Sequence, residues 1–147
     1  MNFVATKIQV VFDCADPDHL AKFWAEALHY QLQDPPAGYA SWDELLKAMG
    51  VPEADWNSAS AIVDPEKLGP RIYFQQMDTP KPKKNRVHLD LNISGGSRIP
   101  MADRMKRVDE EVGRLAGLGA TKQKAWDDSG EYWVVMLDPE GNEFCVQ

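Results

Sequence analysis

Two stretches of this chain, far apart in sequence, say nearly the same thing. Val63-Asp64-Pro65-Glu66 leads after a short spacer to Ile72-Tyr73-Phe74-Gln75-Gln76, and Leu137-Asp138-Pro139-Glu140 leads to Glu143-Phe144-Cys145-Val146-Gln147. The copies also open alike: Ile8-Gln9-Val10-Val11-Phe12-Asp13 matches Val87-His88-Leu89-Asp90-Leu91-Asn92 in its apolar positions, and an amphipathic helix follows each. A repeat of this size makes the chain a pair of similar modules, about 1–80 and 84–147, within a single domain 1–147.

The pattern inside each module reads β-α-β-β-β. In the first, a strand over 7–14 runs into Asp16 as helix N-cap and Pro17 at the first helical position, where a missing N–H costs nothing. Leu20, Phe23, Trp24, Ala27 and Leu28 then form one apolar helical stripe. Strands over 30–33, 59–63 and 71–77 complete the module. The second has a strand over 86–93, a turn at Gly95-Gly96, and a helix over 102–118 with the stripe Met101, Met105, Val108, Val112, Leu115. Strands over 121–126, 132–137 and 143–146 follow, the last two joined by the Asp138–Asn142 turn. The fold class is therefore α+β, two pseudo-symmetric βαβββ modules.

One segment has no counterpart. Ser41-Trp42-Asp43-Glu44 has the S-x-x-E form of a capping box, and Trp42, Leu45, Leu46 and Met49 then share one face of a short helix ending at Gly50. Such an insertion serves either as a patch over exposed core or as a lid over a pocket.

Composition narrows the function. A net charge of −7 and a sequence pI near 4.9 repel nucleic acid and anionic membrane surfaces. No stretch approaches the roughly 20 apolar residues of a membrane span, and residues 1–15 have no secretory pattern. Both cysteines, Cys14 and Cys145, sit in apolar strand-like runs, as reduced buried thiols of a cytoplasmic protein do. The basic cluster Lys81, Lys83, Lys84, Arg86 is broken by Pro80 and Pro82 and reads as a solvated connection.

Because strand side chains alternate faces, the repeat sets Gln9 against His88 on the first strand and Gln75 against Cys145 on the last. These four converge on a cleft floor where two modules share one. Asp90 and Glu143 stand two residues from His88 and Cys145, hence on the same faces, and Asp90 with His88 has the spacing of an acid–base pair. Trp24 belongs to the core, whereas Trp42, Trp126 and Trp133 suit the mouth of an aromatic-walled cleft.

The paired modules, the Lys84-Asn85-Arg86-Val87-His88-Leu89-Asp90-Leu91 run and the closing Asp138-Pro139-Glu140-Gly141-Asn142-Glu143-Phe144 turn resemble the glyoxalase-like branch of the vicinal oxygen chelate superfamily over essentially the whole chain. The resemblance implies an open-sided, eight-stranded mixed barrel and a homodimer. It also implies that metalloenzyme members draw one ligand from the first and one from the last strand of each module, a set of His or Gln, Glu, His and Glu in glyoxalase I. Here those positions hold Gln9, Gln75, His88 and Cys145. One imidazole, two amides and a thiol neutralise a divalent cation poorly, so no cofactor is expected. A divalent metal, where one bound, would fall to His88, Glu143 and Gln9, or to His88 with Asp90 and Glu143.

Three functions follow. The first is metal-free binding of a small apolar or aromatic molecule by Gln9, Gln75, His88, Trp42, Trp126, Trp133 and Cys145. The second is a metal-dependent lyase, isomerase or dioxygenase; the third is a metal-free enzyme with His88 and Asp90 as catalytic pair. Fold does not choose among them.

Overall fold

Each copy of the repeat builds its own four-stranded sheet in the computed structural model, which describes residues 4–147. The first three residues of module one lie outside the described residues. The chain divides into two compact units at the Thr79–Pro80 bond, within the proline-punctuated stretch.

In the first unit, β1 (Val10–Cys14) pairs in parallel with β4 (Ile72–Gln76), which pairs antiparallel with β3 (Ala59–Val63), and β3 with β2 (Gln31–Leu32). Helix α1 (Pro17–Leu28) starts where the sequence places it: Asp16 accepts the His19 N–H at 3.1 Å, with Pro17 next. It stops at His29, whose left-handed backbone (φ 57°) lets Tyr30 N–H reach back to the Ala25 carbonyl. Its stripe buries Leu20, Phe23, Trp24 and Ala27 against Ile62, Ile72 and Phe74. Trp24 meets Phe12 and Phe23 with ring centroids 5.4 and 5.3 Å apart.

The second unit repeats the order. β5 (Leu89–Leu91) runs parallel to β8 (Glu143–Val146), followed by β7 (Glu131–Leu137) and β6 (Thr121–Asp128), all antiparallel after the first pair. Helix α3 (Met101–Leu118) lays Val108, Val112 and Leu115 on Val134, Met136, Phe144 and Val146, and ends at Gly119, whose φ of 116° few side chains tolerate.

Four expected strands are shorter than their apolar runs: β2 omits 30 and 33, β4 omits 71 and 77, and two others lose more. β1 omits residues 7–9, and β5 omits 86–88 and 92–93. At the start of β5 the reason is a long-range contact: the Asn85 side chain accepts the Glu143 N–H at 3.1 Å, so that donor is satisfied without a further ladder residue. The inserted helix α2 (Trp42–Ala48) forms with Ser41 Oγ accepting the Glu44 N–H. Glu44, however, reaches back to the Ala40 N–H rather than to Ser41, so the box is displaced by one residue. None of the α2 residues is buried, which disfavours the reading of this segment as a patch over the core.

Candidate functional site

In each unit the helix covers one face of the sheet, and alternation sends the intervening side chains to the other. On the second sheet that other face carries Asp90, Glu143, Cys145, Trp133 and Val135, since their neighbours Leu91, Phe144, Val146 and Val134 are buried, those of β7 and β8 against α3. Ladder pairing makes Asp90 the direct partner of Cys145, Cys145 of Val135, and Trp126 of Trp133.

These pairings assemble a cavity of about 450 Å³ lined by His88, Cys145, Glu143, Lys84, Trp126 and Trp133, among others. Trp126 and Trp133 are stacked cross-strand, with centroids 6.0 Å apart and planes within 12°. The Lys124 ammonium lies 3.4 Å from the Trp126 ring centre, a cation–π contact that fixes that ring. Together the two near-parallel indoles form an aromatic wall of the cavity, with Lys124 lying over the Trp126 ring. The cavity's volume lies in the range of small-ligand pockets.

The polar groups beside that wall are mutually tied. His88 Nε2 lies 3.3 Å from Asp90 Oδ1. Cys145 hydrogen-bonds Asp90, and one donor atom each from His88, Asp90 and Cys145 lie within 4.8 Å of one another. Burial pushes the Cys145 thiol above its ordinary pKa, and the Asp90 charge and hydrogen bond push it the same way. The thiol therefore stays protonated at neutral pH, a donor toward Asp90. Glu143 is engaged by Lys84.

A consequence can be read with iodoacetamide. In a Cys14→Ser background, Cys145 should alkylate at pH 7.5 more slowly than a free cysteine, because it is buried and the thiolate is the nucleophile. Asp90→Asn removes both the charge and the charged acceptor and should speed the reaction several-fold. Equal rates with and without Asp90 would contradict this picture of the cluster.

The other residues picked from sequence lie in the first unit and are differently engaged. Gln9 Oε1 accepts from Arg71 Nη1 at 2.7 Å, and Gln75 Nε2 donates to Asp13 Oδ1 at 2.7 Å. Neither lines the tryptophan-walled cavity. Trp42 lines a separate one, together with Arg71, Gln33, Tyr73 and Trp56. Arg71 and Tyr73 were missed as site residues; the signal for them was the small trio Ala59-Ser60-Ala61 on the facing strand, which leaves open space above β4.

The repeat correspondence also shifts. Ile62 faces Ile72 after the first Asp-Pro-Glu turn, whereas Met136 faces Phe144 after the second, because the first spacer is two residues longer. Matching the turns aligns Val10 with Leu89, each opposite those residues, and so Gln9 with His88. On the last strand, Tyr73 rather than Gln75 then falls against Cys145. A two-residue slip keeps the face, which is why pattern alone did not expose it.

Comparison with known proteins agrees with this architecture. Similar solved structures include a glyoxalase/bleomycin resistance protein/dioxygenase family enzyme from Burkholderia phytofirmans PsJN, at TM-score 0.60 and 17% identity over 94% of each chain. A possible glyoxalase from Bacillus cereus has TM-score 0.58 and 12% identity over 98% of this chain and 99% of its own. A point mutant of the fosfomycin resistance protein FosX from Listeria monocytogenes, solved with Mn(II) and 1S,2S-dihydroxypropylphosphonic acid, has TM-score 0.58 and 12% identity over 100% of this chain and 92% of its own. At these identities the likeness is one of fold. No curated protein sequence matches the chain. The family model described as a glyoxalase-like domain matches residues 9–147, nearly the whole chain. The chain belongs to the glyoxalase-like domain family, within the vicinal oxygen chelate superfamily.

Proposed function

We propose that this protein is a metal-free, small-molecule-binding member of its family, holding a flat, largely apolar ligand against the Trp126–Trp133 wall with His88 as the polar anchor. The observation that carries this reading is the cavity itself, two near-parallel indoles beside a few polar groups. On the same reading it acts in the cytoplasm, as two buried thiols without a disulfide among the described residues suit, and as a homodimer, as the family resemblance implies.

The donor set does not fit the hard divalent cation that the superfamily's metalloenzymes hold. Cys145, where those relatives place a carboxylate, offers a soft sulfur in place of a hard oxygen, and Glu143 is engaged by Lys84. Of the expected set His88, Glu143 and Gln9, the last has its side-chain oxygen engaged in the first unit, bound to Arg71. A second reading is favoured by the His88–Asp90 contact: a carboxylate that orients an imidazole can serve proton transfer on a carbonyl substrate. A bell-shaped pH dependence of turnover, abolished by Asp90→Asn, would select it.

A thermal-shift screen with neutral bicyclic aromatics bearing a hydroxyl or carbonyl oxygen tests the proposal. A compound present at 100 times its Kd should stabilise the fold by about 2.7 kcal/mol, several degrees of Tm. Trp133→Ala and His88→Ala should each shrink that shift, and elemental analysis should find well under one transition metal per chain. No hit across the library, or about one metal per chain lost on His88→Ala, would overturn it.

A further inference from the structure

The first unit contains a cavity of about 620 Å³ that none of the chemistry above uses. Its walls are aromatic and small: Trp42 and Leu46 of α2, Trp56, Tyr73 of β4, with Ala59 and Ala61 of β3 leaving the space. Two cations line it, Lys22 and Arg71, of which Arg71 is half-buried.

The partners of Arg71 are unusual for a half-buried guanidinium. Nε donates to Gln33 Oε1 at 2.6 Å and Nη1 to Gln9 Oε1 at 2.7 Å, while the guanidinium lies 5.3 Å from the Tyr73 ring centre. Both hydrogen-bond acceptors are neutral amides. Among the described residues no carboxylate lies within ion-pair distance of it, and Nη2 has no hydrogen-bond partner. Arg71 is thus held in place with its charge uncompensated and part of its donor fork unspent, the arrangement that takes a carboxylate in two parallel hydrogen bonds.

The charges on the walls balance in number, yet none of the others pairs with Arg71. Lys22 and Asp18 pair with each other at 2.6 Å, which leaves Asp43 as the one opposing group. The chain's net charge of −7 acts at longer range and is screened beyond about 8 Å at physiological salt, so an anion inside the cavity meets chiefly Arg71 and the opposing Asp43. Gln33 also preorganises the cavity: its side chain fixes Arg71, while its backbone carbonyl accepts the Trp42 Nε1–H at 2.7 Å. One residue therefore sets the distance between an anion anchor and an aromatic wall.

We propose that this cavity is a binding site for an aromatic carboxylate, with Arg71 anchoring the anion and Trp42, Trp56 and Tyr73 packing its ring. This stands on first-unit residues and does not rest on the reading of the Trp126–Trp133 cavity.

The test compares 2-naphthoate with the isosteric neutral 2-naphthamide, followed by the tryptophan indole N–H signals in nitrogen-15 spectra, each assigned by a single Trp→Phe change. Naphthoate should move the Trp42 and Trp56 signals and bind about tenfold or more tighter than the amide. Arg71→Gln should erase that preference with the spectrum otherwise folded, and Arg71→Lys should restore part of it. Asp43→Asn should tighten naphthoate, which keeps the test decisive where an Arg71 variant loses its fold. Equal binding of the two probes, no binding of naphthoate at several millimolar, or movement confined to Trp126 and Trp133 would each overturn the proposal. The last outcome would leave the second-unit reading standing, and movement confined to Trp42 and Trp56 would leave this one standing alone.

Discussion

Trp24→Ala should lower the stability of the native chain by about 3–5 kcal/mol, the range for truncating a large core aromatic. The indole is fully enclosed, 1% exposed, and contacts both Phe12 and Phe23. Phe12 in turn stacks on Phe74 at 5.4 Å, so the hole left by the substitution opens at the junction of α1, β1 and β4, where three elements must move together to close it. Urea unfolding measures the loss directly. A change below about 1 kcal/mol would mean that α1 is not seated on the sheet as described.

Asp138→Ala should cost about 2–4 kcal/mol, because a buried carboxylate is the acceptor for three donors that would be left without one. Asp138 is 3% exposed; Oδ1 accepts the N–H groups of Glu140 and Asn142, each at 2.9 Å, and Oδ2 accepts Asn142 Nδ2 at 2.8 Å. Its repeat partner Asp64 plays the same part in the first unit, taking N–H groups from Gly69, Leu68 and Glu66 at 2.7, 3.0 and 2.9 Å. That turn is open to water, so Asp64→Ala should cost less than Asp138→Ala. Hydrogen bonds from Gly69 first, then Glu66, hold the Asp64 carboxyl below its ordinary pKa. Its stabilisation is therefore complete above the unfolded value near 3.9 and is lost as pH falls through the lower folded value. The stability gap between wild type and Asp64→Ala should narrow in acid below about pH 4, and a gap that widens there would contradict the assigned bonds.

How much of this was legible without coordinates differs by the range of the interaction. Local signals sufficed for the helices: Asp16-Pro17 gave the start of α1, the stripe through Trp24 gave its buried face, and the stripe through Val108, Val112 and Leu115 gave that of α3. β3 and β8 have the bounds their apolar runs suggest. β5 does not, because its length depends on Asn85 capping a donor 58 residues away. The candidate site divides in the same way. Face alternation, which needs only parity, put His88, Asp90, Cys145 and Glu143 on one face, and His88, Cys145 and Glu143 line one cavity with Trp126 and Trp133, while Trp42, read with those two as a cleft mouth, lines another. It did not reveal that Gln9 and Gln75 spend their amides on Arg71 and Asp13, contacts that span 62 residues. Nor did it reveal the cavity around Arg71, which exists because Ala59 and Ala61 sit across the sheet from larger side chains.

The central claim, that the Trp126–Trp133 wall is where a small molecule binds, is tested most directly by titrating the tightest neutral aromatic from the thermal-shift screen into nitrogen-15-labelled protein while following the five tryptophan indole N–H signals. Trp126 and Trp133 should shift together, saturably and with one Kd, the Trp24 signal should stay fixed, and Trp133→Ala should weaken that Kd about fivefold or more, as loss of a stacked aromatic contact of roughly 1 kcal/mol or more implies. A saturable thermal stabilisation that leaves the Trp126 and Trp133 signals where they stand would contradict it.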